Sequence, residues 1–363
     1  MKITDVRVTK YRLGKLDRPH RNSILVSANK GLEFVEVDTD EGLTGVSMGA
    51  GRGRAEAFVR QLRDRLLGED PMDAARVWHH MFTGWRKPIV KGDAIMSIGG
   101  VDNALWDLRG KALGMPVYRL LGGFRSRVPA YAAGGYYEEG KGLAELGEEM
   151  KSFVAAGYKA VKMKVGGATV KEDVRRVEAV REAIGPDIRL MVDANDAWTV
   201  AEAFRFGSAA QEFDLEWFEE PCWPDDQEGM ALLRRKLSVP IASGEIEFTR
   251  WGFRDLIERG AVDIVQADPH LCGGLTEWMR IAALASAHHL VMAPHGNHYV
   301  GAHAVAAVDN GYIVESYAGM SPWQNEFLGG ITFDDGDLIL SDEPGLGITI
   351  DREALERAAG QAG

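Results

Sequence analysis

From about residue 128 onward the chain alternates short, almost wholly apolar segments with amphipathic ones, and few folds accept that rhythm. The apolar segments are VPAYAAG (128–134), AVKMKV (160–165), RLMVDA (189–194), EWFEE (216–220), PIASGE (240–245), DIVQAD (263–268), LVMAPH (290–295) and YIVES (312–316). Between them lie stretches such as VKEDVRRVEAVREAIG and TEWMRIAALASAHH, whose apolar residues recur on one helix face. Apolar strands alternating with helices belong to a parallel sheet buried on both faces. Eight of them in roughly 190 residues predict an α/β protein built on a compact (β/α)8-type TIM barrel.

Residues 1 to about 125 follow another pattern. ITDVRVTKYRL, NSILVSA and LEFVEVDT are β-like, a turn at Asp40–Gly42 leads into LTGVSMG, and helical periodicity follows near 55–67, 73–84 and 94–113. Strands followed by helices predict a separate α+β domain. The expected division is 1–125 for that domain, 126–325 for the barrel, and 326–363 for a segment that packs back on the first domain.

The bulk properties exclude several classes. The chain has 363 residues, 45% of them hydrophobic and 26% charged, which is a globular composition. Against 54 acidic residues stand 42 basic ones, and the resulting charge of −12 argues against a nucleic-acid partner. No apolar stretch approaches about 18 residues, so no membrane span is expected. The start, MKITDVRVTKYRL, alternates like a strand and argues against secretion, leaving the cytoplasm as the default. Cys222 and Cys272 form neither a disulfide framework nor a zinc pattern.

Barrel chemistry sits where the strands end at their C-terminal face. The ends here are polar in seven successive strands: Lys162 and Lys164, Asp193 and Asn195, Glu219, Glu245, Asp268, His295 and Glu315. Asp193, Glu219 and Glu245 recur at an equal step of 26 residues, close to the length of one strand–helix unit. Equal steps predict three acids at one level on three neighbouring strands. Three converging anions require a cation between them, and an all-oxygen set suits Mg²⁺, with Mn²⁺ as a substitute, over Zn²⁺. The spacing selects Glu219 over its neighbour Glu220, which is left as a supporting residue that could hold a lysine.

Lys162 and Lys164 are two apart on one strand and so share a face. Each should lower the pKa of the other, which makes a lysine a usable base. Asp268 and His295 close adjacent strands, and a carboxylate on one ring nitrogen raises the basicity of the other. Lys164, from the second strand, and His295, from the seventh, can therefore approach opposite faces of one carbon. Such a site suits removal of a proton next to a carboxylate, with the metal stabilising the enediolate. Glu315 could donate to the second carboxylate oxygen if burial among acids keeps it protonated. His298 and His303 read as loop and helix residues.

Together these residues closely resemble the enolase superfamily, in its mandelate-racemase-like subgroup, and the resemblance runs over nearly the whole chain. It implies that the first domain caps the barrel. It implies that Lys164 in VKMKVG is a base with Lys162 as its neighbour, and that Asp193 in VDAN, Glu219 in WFEEP and Glu245 in SGE hold Mg²⁺. It further implies an Asp268–His295 dyad and Glu315 in VES beside a substrate carboxylate. The partner it implies is a small-molecule carboxylate, and the assembly a homo-oligomer. Acid-sugar dehydratases that turn an aldonate or aldarate into a 2-keto-3-deoxy acid are its most frequent activity. Racemases, epimerases and cycloisomerases use the same residues, and which of Lys164 and His295 takes the proton stays open.

By the same resemblance, substrate choice falls to cap loops at 14–23 and 47–54, the second a glycine-rich lid. His20, Arg21, Arg52 and Arg54 are candidates there, with Asn195 at its strand end and Tyr136 and Tyr137 lining the same cavity. An amidohydrolase on this barrel would need histidine ligands early, and VPAYAAGG has no His-x-His. A non-catalytic metal-binding protein on this scaffold would be expected to lack a base or a ligand, and none is missing.

Overall fold

The computed structural model describes residues 1–49, 55–84, 91–317 and 321–361. Its N-terminal part is a three-stranded antiparallel meander, β1 (Ile3–Arg21), β2 (Val26–Thr39) and β3 (Thr44–Met48). Helices α1 (Ala55–Leu66), α2 (Ala74–Thr83), α3 (Asp93–Leu113) and the short α4 (Val117–Leu121) follow. Val35 and Val37 of β2 bury against Leu62, Ile95, Ile98 and Leu105 to form a core of their own. Contact between α3 and β3 depends on Gly45, because a Cβ there would collide with the Ala104 carbonyl oxygen.

Residues 14–21, expected as a loop, instead continue β1, and only four residues separate it from β2. Bulges after Arg12 and Lys15 let this long hairpin bend toward the barrel. Its turn is held by Asn22, whose Oδ1 accepts the N–H groups of Ile24 (2.9 Å) and Leu25 (2.7 Å). The tip docks on the barrel: Arg21 and Tyr137 exchange backbone hydrogen bonds of 2.9 Å, and Ser23 Oγ donates to Ala194 O (2.8 Å).

The barrel strands are β4 (Arg127–Gly134), β5 (Ala160–Lys164), β6 (Arg189–Asp193), β7 (Leu215–Glu219), β8 (Ile241–Ser243), β9 (Ile264–Val265), β10 (Val291–Met292) and β11 (Val314–Ser316). Each from β4 to β9 pairs in parallel with the next, β11 returns to β4, and a parallel bridge between Met292 and Gly311, just before β11, closes the ring. Tyr131, Met191, Trp217, Ile264 and Ile313 fill the interior. Around it run α5 (Leu143–Ala155), α6 (Val170–Ile184), α7 (Val200–Ala210), α8 (Gln227–Lys236), α9 (Thr249–Glu258), α10 (Leu275–Ala287) and α11 (His298–Ala307). Thr169 with Glu172, and Thr199 with Glu202, form capping boxes that start α6 and α7.

β8 to β10 are shorter than their apolar segments, because the ladder stops before the polar residues that end each segment. Gly244, at φ +122°, turns the chain immediately after β8. The C-terminal segment divides in two. β13 (Ile331–Asp334) and β14 (Asp337–Leu340) form a hairpin whose second strand pairs with β4, extending the barrel sheet. β12 (Leu328–Gly329), β15 (Thr349–Ile350) and α12 (Arg352–Gln361) return to the first domain, where Leu355 packs with Tyr11 and Phe34 and Arg352 pairs with Glu36. Among the described residues no helix is long and apolar enough to cross a membrane.

Candidate active site

Lys164, Asp193 and Glu219 are ladder partners, the last residues of β5, β6 and β7. They therefore stand side by side at the barrel mouth. Glu245 differs. The ladder partner of Glu219 is Ala242, so Glu245 lies three residues beyond that level and returns through the Gly244 turn. The equal step of 26 places two acids at one level, and the third reaches the site from a loop. Ligand oxygens of all three nevertheless lie within 4.8 Å of one another.

Both lysines enter this cluster. Lys162 Nζ lies 2.7 Å from Glu219 Oε1, 3.1 Å from Glu315 Oε1 and 3.5 Å from Asp193 Oδ2, while Lys164 Nζ contacts Asp193 Oδ2. The other oxygen of Glu219 accepts from Trp217 Nε1 (2.9 Å) and Gln266 Nε2 (2.8 Å). These two donors escaped the sequence reading, although each lies two residues before a site residue and so on the same strand face. Across the mouth, His295 Nδ1 lies 2.9 Å from Asp268 Oδ2, and its Nε2 is 3.5 Å from Glu245 Oε2.

The electrostatics correct three expectations. Burial, the largest single effect, and Lys162 both act to lower Lys164, but Asp193, Tyr136 and Glu219 together outweigh them and hold its pKa above the ordinary lysine value. Burial also opposes charge on Lys162, yet Glu219 and Glu315 raise it well above that value. Glu315 is not held protonated. Burial favours its neutral form, but Lys162 and His295 outweigh that, and the Gly296 N–H donates to Oε2 at 3.0 Å, so its pKa is lowered. Nor does Glu220 hold a lysine. It is buried beside Glu245 and Asp196, its Oε1 has no hydrogen-bond partner, and burial followed by repulsion from those two acids pushes its pKa well above the carboxylate range.

Similar forces act on the remaining groups. Burial and then Asp193 raise Glu219 to about 7, and burial and then Glu245 raise Asp196 to about 8. Burial would discharge His295, but Glu245 and Glu315 raise it to about 10. These directions follow from the protein charges alone. A divalent cation among the acids would act against the raised values at the lysines and His295. The residues fit such an ion: three buried carboxylates supply hard oxygen donors, and Glu245 Oε2 is buried without a hydrogen bond.

The expected substrate-binding residues are less gathered. Asn195, in a left-handed conformation at φ 43°, gives its N–H to Asp193 Oδ1 (2.9 Å), while its own buried Oδ1 has no hydrogen-bond partner. The His20 ring stands edge-on to Tyr136, 4.7 Å between centroids, and the Tyr136 ring lies 5.4 Å from Lys164 Nζ. Arg21 is exposed at the rim, donating to Gly167 O (3.0 Å) and lying over the Tyr137 ring. Tyr137 itself hydrogen-bonds Asp173 (2.5 Å). Ser47 and Met48 belong to β3, whereas Arg52 and Arg54 lie outside the described residues. His298 opens α11 and His303 lies within it.

Fold and site define the class: an enzyme with a divalent-metal site at the mouth of a capped (β/α)8 barrel. Residues 3–122 match the family profile described as mandelate racemase / muconate lactonizing enzyme, N-terminal domain, and residues 145–354 that described as enolase C-terminal domain-like. The chain belongs to the mandelate racemase/muconate lactonizing enzyme family of the enolase superfamily. It is 36% identical to the arabinonate dehydratase of Saccharolobus solfataricus, with 96% of each chain covered. It is 35% identical to the D-galactarolactone cycloisomerase of Agrobacterium fabrum, with 98% of each covered. A racemase from Streptomyces coelicolor solved with bound magnesium superposes with a TM-score of 0.87 at 33% identity, over 98% of this chain and 99% of that one.

Proposed function

We propose that this enzyme dehydrates an acid sugar, an aldonate or aldarate, to a 2-keto-3-deoxy acid in a Mg²⁺-dependent reaction. The observation behind this reading is geometric: Lys164 reaches Asp193 from β5, while His295 Nε2 lies 3.5 Å from Glu245 on the far side. A substrate carboxylate at the acids would present its α-carbon between two proton-transfer groups. Asp193, Glu219 and Glu245 would hold the cation, which would supply positive charge where negative charge develops on that carboxylate. Lys162 adds a second positive group at the same place.

Lys164 or His295 takes the α-proton, and the C–H electron pair forms the C=C bond of an enediolate with the carboxylate carbon, a bond that shifts to Cα=Cβ in the next step. The β-carbon–oxygen bond then breaks, and the hydroxyl leaves as water with a proton from His295. Asp268 holds the His295 ring through Nδ1, which keeps Nε2 toward the acids. The enol product tautomerises to the 2-keto acid.

The arabinonate dehydratase relative supports dehydration. The cycloisomerase relative, similar over 98% of both chains, supports a second reading in which the same bases act on a ring ester or ether of a sugar acid. A panel of aldonates, aldarates and their lactones with Mg²⁺, assayed for released 2-keto acid and for α-deuterium exchange, separates them. A 2-keto acid supports dehydration, isomer without keto acid supports cycloisomerisation, and inactivity over the whole panel removes both.

A further inference from the structure

We propose that His270 is a positioning residue for the Asp268–His295 dyad, and that through it the cap strand β3 helps to set the orientation of the base. The inference rests on the role given to His295 above. His270 follows Asp268 by two residues and is only 8% exposed. Its Nδ1 lies 3.6 Å from Asp268 Oδ1, while the opposite oxygen, Oδ2, meets His295 Nδ1 at 2.9 Å. One carboxylate thus stands between two imidazoles. The other ring nitrogen of His270 lies 3.3 Å from Ser47 Oγ, near the end of β3. The ring therefore bridges the cap and the dyad.

The tautomer follows from the partners. Ionised Asp268 can only accept, so His270 Nδ1 carries the proton and Nε2 accepts from the Ser47 hydroxyl. At 3.6 Å the Asp268 pair is longer than a formed hydrogen bond, as contacts in ligand-free catalytic sites often are before they tighten. The backbone of the same turn is fixed more firmly. The N–H groups of His270 (2.6 Å) and Leu271 (3.2 Å) both donate to Asp268 Oδ1. The cap grips this turn from outside: Asn103 Nδ2 donates to Pro269 O at 3.1 Å, and α3 runs so close that a Cβ on Gly99 would collide with the His270 carbonyl.

A buried histidine can turn both nitrogens to backbone groups. His303 does so, accepting from Tyr118 N and meeting Leu346 O. His270 instead turns both nitrogens to side chains, one of which carries the dyad.

The experiment uses the full chain and the variants His270→Ala, His270→Gln, His270→Asn and Ser47→Ala. One readout needs no substrate: the downfield proton resonance of the His295 Nδ1–H bonded to Asp268. The second is kcat and KM for α-deuterium exchange with an aldonate and Mg²⁺. His270→Ala and His270→Gln should move the resonance and lower kcat about tenfold, in the range for removing a supporting partner, with KM nearly unchanged. His270→Asn places an amide donor where Nδ1 stood and should restore most of both, and Ser47→Ala should give a smaller change in the same direction. A wild-type resonance and kcat in His270→Ala overturns the proposal. So does equal loss in the Ala and Asn variants accompanied by lowered thermal stability. If the wild-type chain exchanges no substrate, the function proposed above fails, while the resonance still decides the positioning role.

Discussion

Lys164 and Asp193 face each other as ladder partners on β5 and β6, and the ammonium contacts the carboxylate directly. One residue is the candidate base and the other a candidate metal ligand, so the two functions oppose each other electrostatically. The ammonium neutralises an acid that the cation also needs.

That opposition yields the first prediction. Lys164→Met should remove α-deuterium exchange on its face of the substrate, a loss of about 10²- to 10⁴-fold for a positioned acid–base group. Mg²⁺ binding, measured by calorimetry, should hold or tighten in the same variant, because a competing positive charge has gone. Weakened Mg²⁺ binding would show that the lysine supports the metal site instead of competing with it.

Of the three acids Glu245 is the one with a buried oxygen that makes no hydrogen bond, and it approaches from a loop while Asp193 and Glu219 are fixed in the ladder. Glu245→Gln keeps its size and removes its charge. It should weaken Mg²⁺ by at least the tenfold to hundredfold that supporting residues of metal sites cost. Chelation with EDTA should abolish activity in the wild type, and Mg²⁺ or Mn²⁺ should restore it. Calorimetry on the variant and add-back assays on the wild type check the two halves.

The barrel was legible because strand and helix periods differ and because helix faces must be buried, which forces the alternation. That the candidate residues gather was legible because strand ends share one face of such a barrel. Local register was not. Glu245 joins the other two acids only because the chain bends at Gly244, and no apolar pattern records a bend. The charge states were not legible either. Whether Lys162 lowers Lys164, or Asp193 raises it, depends on distances that spacing along a strand does not contain. Residues 14–21, the last part of β1, are expected as a loop because the family resemblance places a cap loop there. Bulged pairing with β2 and docking on Tyr137 override that expectation.

Packing of β3 against α3, the helix that also contacts the barrel, gives the third prediction. A Cβ on Gly45 would meet the Ala104 backbone oxygen and would lie 2.7 Å from Leu108 Cβ, so α3 must move outward to accept alanine. The expected cost of such overpacking is about 1–3 kcal/mol. α3 also carries Asp102 and Asn103, which bond Thr276 N (2.8 Å) and Leu275 N (2.9 Å) just past the Asp268 turn. Gly45→Ala should therefore lower both the thermal midpoint and the turnover number. A drop in midpoint with turnover intact would mean that the displacement of α3 stops short of the dyad.

The fourth prediction concerns acid stability and His303, which lies outside the site. Burial lowers its pKa to about 4, although its contact with Leu346 O acts the other way. The Tyr118 N–H donates to its Nδ1 at 3.1 Å, which leaves no room for a proton there. In the unfolded chain the ring titrates at an ordinary value near 6.5. Between about 6.5 and 4 the unfolded state thus binds the extra proton, and the linkage sign makes stability fall as the pH falls. Below about 4 the penalty is complete, at about 3 kcal/mol. His303→Gln retains a donor for Leu346 O but cannot take up a proton. It should be less stable than the wild type at pH 8, and the gap between the two should close by most of that amount on going to pH 4. Urea midpoints across this range measure the gap, and parallel curves for the two proteins would assign the acid sensitivity to other groups.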